Sequence, residues 1–352
     1  MNGKKVIVGM SGGVDSAVAA WLLKRDGYDV TGLFMHNWEE DGECPAADDW
    51  RDVVSVCEKI GIECYSVNFA KEYMDGVFDY FLREYRAYRT PNPDVLCNRV
   101  VKFGAFKDYC NGLGADFVAT GHYCKRDGDK LLRAVDGNKD QTYFLNQVKT
   151  EQLDNVLFPL GDLEKPQVRK IASDLALSVA RKKDSTGICF IGERKFKKFL
   201  SEYLPAQCGD IVDTDGKVVG RHDGLMYYTL GQRRGLGIGG VRGETGRWFV
   251  LRKDVENNRL VVSCGDETEL FTRKLKGSGL NVIGAFDLPH ELRCTAKTRY
   301  RQPDQAATLY DCGNGEFEIV FDAPQRAVTA GQYAVIYLDE RCLGGGVIER
   351  AE

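Results

Sequence analysis

The sequence predicts an α/β protein in three parts: a doubly wound parallel sheet, a small central domain and a C-terminal β-barrel. Three observations carry that prediction. Through the first half, short apolar runs alternate with stretches of helical period, the pattern of βαβ units. Near Leu204 the pattern changes to hairpin-like and glycine-rich segments. From Leu292 onward only short strands separated by turns remain. A chain of 352 residues has room for two or three domains, and the boundaries are placed at 1–203, 204–270 and 271–352.

The first element is the most informative. Val6-Ile7-Val8 ends in Gly9-Met10-Ser11-Gly12-Gly13-Val14-Asp15-Ser16, and Ala17 to Leu23 follows with a helical pattern. That is a strand, a tight turn and a helix start. Glycine lets the backbone approach an anion closely, and the first N–H groups of the helix point at it with the positive end of the dipole. The site reads as a phosphate cradle for ATP; the bland alternative is a glycine-rich turn without a ligand. It lacks the lysine of the G-x-x-x-x-G-K-[ST] loop. Ser-Gly-Gly-Val-Asp-Ser instead resembles the pyrophosphate loop (PP-loop) of the N-type ATP pyrophosphatases, which adenylate a carbonyl oxygen and release pyrophosphate.

Val30–Phe34, Cys64–Phe69 and Asp116–Thr120 read as further strands, with helical patterns at Trp50–Ile60 and Phe103–Leu113. Ligands of such sheets sit at the carboxyl ends of the strands, so Met35-His36-Asn37-Trp38 and Thr120-Gly121-His122 share a rim with the phosphate loop. Met35 and Gly121 are candidate contacts for the nucleoside, although Met35 is equally compatible with ordinary core. In Arg89-Thr90-Pro91-Asn92-Pro93-Asp94-Val95-Leu96-Cys97-Asn98, two prolines stiffen a loop holding a carboxylate three residues before a thiol. Asp94 and Cys97 form a candidate catalytic pair, with Arg99 and Lys102 near enough in sequence to favour the thiolate. A buried structural cysteine beside a helix cap is the alternative.

Lys139-Asp140-Gln141-Thr142-Tyr143-Phe144 fits a helix cap or a binding loop equally. Arg181-Lys182-Lys183-Asp184-Ser185-Thr186-Gly187-Ile188-Cys189-Phe190-Ile191 sets a thiol after three cations and a glycine, which suits a sulfur carrier as well as a plain strand cysteine. Asp210–Val219 reads as a hairpin around Asp215-Gly216. The glycine loop at 231–240 has no helix after it and is not a dinucleotide fingerprint. Strands are expected at Leu292–Lys297, Ala306–Tyr310, Phe317–Phe321, Ala334–Leu338 and Leu343–Ile348.

Composition bounds the rest. With 43% hydrophobic and 28% charged residues the chain is an ordinary soluble type, and no apolar run reaches membrane-span length. Met1 to Lys5 runs straight into the first strand, so no leader is expected and the expected compartment is the cytoplasm. A formal net charge of −4 argues against a general nucleic-acid binder but not against an RNA enzyme with clustered cations. Such clusters occur at Arg169-Lys170, Arg181-Lys182-Lys183, Arg194 to Lys198, Arg233-Arg234 and Lys297 to Arg301, each alone compatible with a solvated face. The twelve cysteines show no Cys-x-x-Cys pair and no histidine at zinc-ligand spacing, so no protein metal site is predicted.

Several motifs together resemble the bacterial tRNA-uridine 2-sulfurtransferases (2-thiouridylases) over essentially the whole chain. They are Gly-Met-Ser-Gly-Gly-Val-Asp-Ser, Thr-Pro-Asn-Pro-Asp-Val-Leu-Cys-Asn, Ala-Thr-Gly-His-Tyr, Asn-Lys-Asp-Gln-Thr-Tyr-Phe-Leu, Lys-Lys-Asp-Ser-Thr-Gly-Ile-Cys-Phe-Ile-Gly-Glu-Arg and Lys-Thr-Arg-Tyr-Arg-Gln. The resemblance implies that Gly9 to Ser16 bind ATP phosphates and that Met35 and Gly121 contact the nucleoside. It implies that Asn92-Pro93-Asp94 meets a flipped base, and that His122, Lys139-Asp140-Gln141, Arg299-Tyr300 and Gln332 touch tRNA. Cys97 would be the nucleophile and Cys189 the persulfide carrier, with ATP and Mg²⁺ required. The substrates would be tRNAs for glutamate, glutamine and lysine, and a sulfur-relay protein would load Cys189 of a monomeric enzyme. Two cysteines cannot fill the four thiolate positions usual for an iron–sulfur cluster. Two rival readings are an adenylating enzyme for a small molecule and a non-catalytic RNA binder that keeps a vestigial ATP fold.

Overall fold

The computed structural model describes residues 3–38, 45–184, 196–238 and 246–352. The N-terminal half builds β1 (Lys5–Met10), α1 (Val14–Arg25), β2 (Asp29–His36), α2 (Pro45–Ile60), β3 (Glu63–Asn68) and β4 (Phe117–Ala119). A hairpin of β5 (Cys124–Asp127) and β6 (Lys130–Arg133) follows, and then β7 (Val156–Leu157). The sheet runs β3-β2-β1-β4-β7, every pair parallel. The unbroken apolar run of β1 suits a strand buried on both faces. Val6, Val8 and Met10 pack with α1, α2 and the helix Lys165–Asp174. Ile7 and Leu33 pack on the opposite side, against helices between residues 70 and 112 and the helix Phe196–Tyr203. Helices therefore cover both faces, and the sheet is doubly wound. Because β2 and β4 flank β1, the carboxyl end of β1 is the topological switch point, where open α/β sheets bind ligands.

The stretch expected as one helix over Phe103–Leu113 begins earlier and is broken. A short helix at Pro93–Leu96 continues as a wide π-type stretch over Cys97–Ala105, and Gly104 (φ −106°, ψ −105°) interrupts it before the helix Phe106–Gly112. A Cβ at Gly104 would stand 3.1 Å from the Arg99 carbonyl oxygen, so a side chain there would crowd the turn below it.

The central sheet is β8 (Gly209–Val212), β9 (Val218–His222), β10 (Trp248–Asp254) and β11 (Arg259–Cys264), in the order β10-β11-β8-β9. The hairpin turn uses Gly216 at φ +83°. The C-terminal strands are β12 (Phe271–Val282), β13 (Glu291–Lys297), β14 (Gln305–Gly313), β15 (Glu316–Arg326), β16 (Tyr333–Leu338) and β17 (Arg341–Ala351). They run β12-β15-β14-β13-β16-β17, and pairing of β12 with β17 closes a six-stranded barrel. β12 was not expected. Its sequence Phe-Thr-Arg-Lys-Leu-Lys-Gly-Ser-Gly-Leu-Asn-Val is basic and glycine-interrupted, and the first of its glycines serves packing. A Cβ at Gly277 would fall 2.2 Å from the Phe317 ring that fills the barrel. β6 pairs with β17 through Leu131–Cys342 and Leu132–Arg341, so the N-terminal hairpin extends the barrel sheet. Among the described residues, no helix is long and apolar enough to cross a membrane.

Candidate active site

The phosphate loop sits at the switch point. Gly12 adopts φ +71°, and a Cβ there would meet the Asp49 carbonyl oxygen at 2.7 Å. Gly13 opens α1 in an extended conformation and carries no side chain that caps the helix, so the first turn is left open to a ligand. The Ser11 N–H donates to Ser16 Oγ (3.1 Å), and the Ser16 hydroxyl lies 3.2 Å from both the Gly13 carbonyl oxygen and Ser11 Oγ. Gly121, just past β4, approaches the same turn backbone to backbone. A Cβ on it would lie 2.8 Å from the Ser16 nitrogen. Met35 borders Gly9, with its Cε 3.6 Å from the position a Gly9 Cβ would take, while Met10 and Val14 are core.

Around this turn lies a charge network that sequence reasoning missed. The Asp15 carboxylate accepts from Tyr123 OH (2.8 Å) and from Lys165 Nζ (2.7 and 2.8 Å). Lys165 Nζ also stands 2.8 Å from Asp184, which pairs in addition with Arg169 (2.7 Å) and Lys139 (2.6 Å). Burial pushes the Asp184 carboxyl up, but hydrogen bonds from Lys139 and Lys165 outweigh it and hold the group at about 2. Burial and then the Asp15 charge raise the Tyr123 phenol, so it stays a donor. Lys182 Nζ bonds the Gly12 carbonyl (3.0 Å), Asp49 (2.7 Å) and Asp52 (2.5 Å). Asp15 and Lys139 were singled out in the sequence for other roles, and Arg169 and Lys182 only as members of basic clusters. Lys165, set beside a proline at a helix start, carried no signal.

Cys97 is 1% exposed, in a cluster with Phe81, Tyr85, Val101 and Phe106 on the sheet side. Val95 and Phe103, in the same segment, face a second cluster with Tyr333, Val335 and Tyr337 of β16. The segment is thus clamped between sheet and barrel. Pro93 is buried, and Asn92 and Asp94 are half-buried at the start of the short helix. Of the two cations near Cys97 in sequence, Arg99 faces Gln147 (3.5 Å). Cys189 lies outside the described residues.

The residues expected to contact RNA fall into two groups. Lys139, followed in the chain by Asp140 and Gln141, meets Tyr300, whose hydroxyl donates to the Lys139 carbonyl (3.4 Å) and whose ring packs on Phe144 (4.4 Å). Within that group Asp140 is internal: its carboxylate accepts from Ala134 N–H (3.2 Å) and the Thr142 hydroxyl (2.7 Å), and burial foremost raises its pKa. Gln141 Oε1 accepts from Tyr123 N–H (2.9 Å). His122 is also internal. Its Nδ1 lies 2.8 Å from Thr120 Oγ1, and burial, with Lys102 second, drives its pKa well down, so the ring is neutral. The second group is at the barrel end. Arg299 donates to the Ala327 carbonyl (2.7 Å), and Gln332 donates to the Thr90 carbonyl (2.7 Å). Gln332 therefore ties the barrel to the cysteine loop.

Comparison with known proteins accounts for nearly the whole chain. Residues 4–193 match a family described as a tRNA methyl transferase HUP domain, 197–264 the corresponding PRC-barrel domain, and 272–348 an aminomethyltransferase beta-barrel domain. A tRNA-specific 2-thiouridylase MnmA of Citrobacter koseri is 58% identical over 99% of this chain and 97% of its own. The tRNA-specific 2-thiouridylase MnmA 2 of Geobacillus kaustophilus is 57% identical over 98% and 94%. Among solved structures, the U34-tRNA thiolase NcsA of Methanococcus maripaludis, with its 4Fe-4S cluster, aligns over 58% of this chain and 67% of that one. Its identity is 22% and its TM-score 0.38. With full-length relatives at this identity, the chain belongs to the tRNA-specific 2-thiouridylase family.

Proposed function

We infer that this protein is an ATP-dependent tRNA-uridine 2-sulfurtransferase that acts on the wobble uridine. The observation that carries the ATP-dependent step is the glycine-built N-terminus of α1 at the switch point, walled by Gly121 and ringed by Lys165, Lys182 and Lys139. The C2 oxygen of uridine is a poor leaving group. Its attack on the α-phosphorus of ATP expels pyrophosphate and turns it into AMP, a good one. The α1 N–H groups and the lysines bind the triphosphate and orient it for that attack. Mg²⁺ keeps several waters and is bound by phosphates with one or two carboxylates, and Asp15 in the first turn of α1 fits as that carboxylate. It would supply charge neutralisation at the phosphates.

Sulfur then replaces the oxygen at C2. The terminal sulfur of a Cys189 persulfide adds to C2 and AMP leaves, after which Cys97 attacks the Cys189 sulfur and releases the thiocarbonyl. In the other order Cys97 first releases sulfide, which attacks C2. Either order leaves a Cys97–Cys189 disulfide, reduced by an external thiol. Asp94 serves as acid and base at the base edge. The uridine must leave the anticodon stack to reach a site closed by protein, as other base-modifying enzymes require. Opening of the Cys97 segment is part of that step, because the thiol is buried here.

Lys139, Tyr300 and Arg299 form the RNA-facing surface of this proposal, with Asn92 and Pro93 at the base. His122, Asp140, Gln141 and Gln332 hold the loops that carry that surface. In this reading the substrates are tRNAs for glutamate, glutamine and lysine, a relay protein loads Cys189, and the enzyme is a cytoplasmic monomer divided into 1–203, 204–270 and 271–352. Cys97→Ser and Cys189→Ser test the sulfur step. Both variants should lose 2-thiouridine formation and keep tRNA-dependent pyrophosphate release. Normal thiolation by Cys189→Ser with a persulfide donor would overturn the scheme.

A further inference from the structure

Three consecutive residues at the start of the cysteine loop are held between them by the N-terminal, central and C-terminal parts of the molecule. Tyr88 takes φ +60°, the left-handed region where glycine is usual, at the end of the helix Asp79–Arg86. Its carbonyl accepts from Lys253 Nζ (2.8 Å), which reaches over from β10 of the central sheet. Arg89 bonds Glu84 (2.7 Å) within the N-terminal half, and Glu349 and the Ile348 carbonyl (3.2 Å) on β17. Thr90 is held twice by the barrel: its N–H donates to the Ala330 carbonyl (2.9 Å) and its own carbonyl accepts from Gln332. Its hydroxyl lies 3.4 Å from that of Thr229 in the central part.

Lys253 is the unusual member. It is largely removed from water, which lowers its pKa to about 8, and among the described residues no carboxylate forms an ion pair with it. A desolvated cation held by a backbone carbonyl costs stability. An apolar side chain would fill the same space without that cost. What the ammonium adds is direction: it fixes the carbonyl of a strained residue that a looser contact would let relax.

We propose that Tyr88-Arg89-Thr90 is a joint through which the central and C-terminal domains set the position of Asp94 and Cys97, with Lys253 as its positioning residue. The joint lies two residues before Asn92, and Pro91 and Pro93 transmit its orientation stiffly to the short helix that carries Asp94. RNA bound at Arg299 and Tyr300 of the barrel thereby bears on the reacting loop through this joint, in addition to meeting it at Asn92 and Pro93. This inference rests on the thiolation reading above.

The test uses the full-length enzyme with Lys253→Met, Lys253→Arg and, as a milder second perturbation, Thr229→Val. Single-turnover thiolation, ATP affinity, tRNA KM and the rate of Cys97 alkylation by iodoacetamide are measured, the last in a Cys189→Ser background. Lys253→Met should lower the thiolation rate about tenfold, since a misplaced reacting group costs rate without costing binding. ATP affinity and tRNA KM should stay within about twofold, and Cys97 alkylation should rise about tenfold as its segment opens more often. Lys253→Arg should restore most of both, and Thr229→Val should move both in the same direction by less. Wild-type rates and unchanged alkylation in Lys253→Met would overturn the joint. So would a loss of ATP affinity in step with thermal stability, which marks a general packing role. A wild-type enzyme that makes no 2-thiouridine would sink the functional reading instead, while the alkylation measurement would still decide on the joint.

Discussion

Asp184 is the residue on which the phosphate side of the site turns. One carboxylate meets Lys139, Lys165 and Arg169, and through Lys165 it is tied to Asp15 of the loop. Its folded pKa of about 2 lies below the ordinary 3.8, so the stability it contributes is present above the ordinary value and lost as pH falls through about 2. Asp184→Asn should therefore be less stable than the wild type by about 1–3 kcal/mol at neutral pH, since it leaves half-buried cations short of a partner. In urea titrations the gap should hold from about pH 7 to pH 5 and close between about pH 4 and pH 2. A gap that persists at low pH would show that Asn is unfavourable for its shape rather than its charge. At this scale the phosphate loop was legible, because Gly12, Gly13, Asp15 and Ser16 act within one turn and their spacing is the site. Tyr123 and Lys165 were not, because they reach Asp15 across separations of 108 and 150 residues, and nothing in a linear pattern reports that.

The segment Pro93–Ala105 shows the same division among elements. Pro91 just before it and Pro93 at its start announced a stiff loop, and the short helix with a proline at its first position follows from them. Its continuation as a wide turn broken at Gly104 was hidden, because Phe103 and Phe106 belong to different cores and together mimic one helical stripe. β12 escaped because one of its inward positions is Gly277, which makes room for Phe317. The contact between this segment and the barrel makes its own prediction. Gly331 has φ +90°, and a Cβ there would stand 3.0 Å from the Thr90 backbone. Gly331→Ala should cost about 1–3 kcal/mol through backbone strain and overpacking, and thiolation should fall further than ATP affinity. Equal losses in the two would mean that the contact merely supports the fold.

Across the whole molecule, the three parts were visible in the sequence as changes of period, but their interlock was not. The hairpin β5–β6 belongs by sequence to the N-terminal half, yet it adds two strands to the barrel sheet. Cys124, Leu131 and Tyr143 share one core with Ile283, Tyr333 and Tyr337. Four-residue strands in a polar stretch carry too little pattern to announce such a role. A fragment of residues 1–203 would expose that core and a strand edge, so it should aggregate on expression while the full chain unfolds in one transition. A soluble, cooperatively folded fragment would contradict this interlock. The same interlock places the proposed RNA-facing surface, the cysteine loop and the phosphate loop in one body, which is what thiolation of a tRNA base demands. The most direct measurement of that claim is anaerobic incubation of the purified protein with ATP, Mg²⁺, a persulfide donor and unmodified glutamate tRNA, followed by digestion and mass spectrometry. The account predicts ATP-dependent 2-thiouridine at the wobble position. A folded protein that yields neither 2-thiouridine nor tRNA-dependent pyrophosphate release would contradict it.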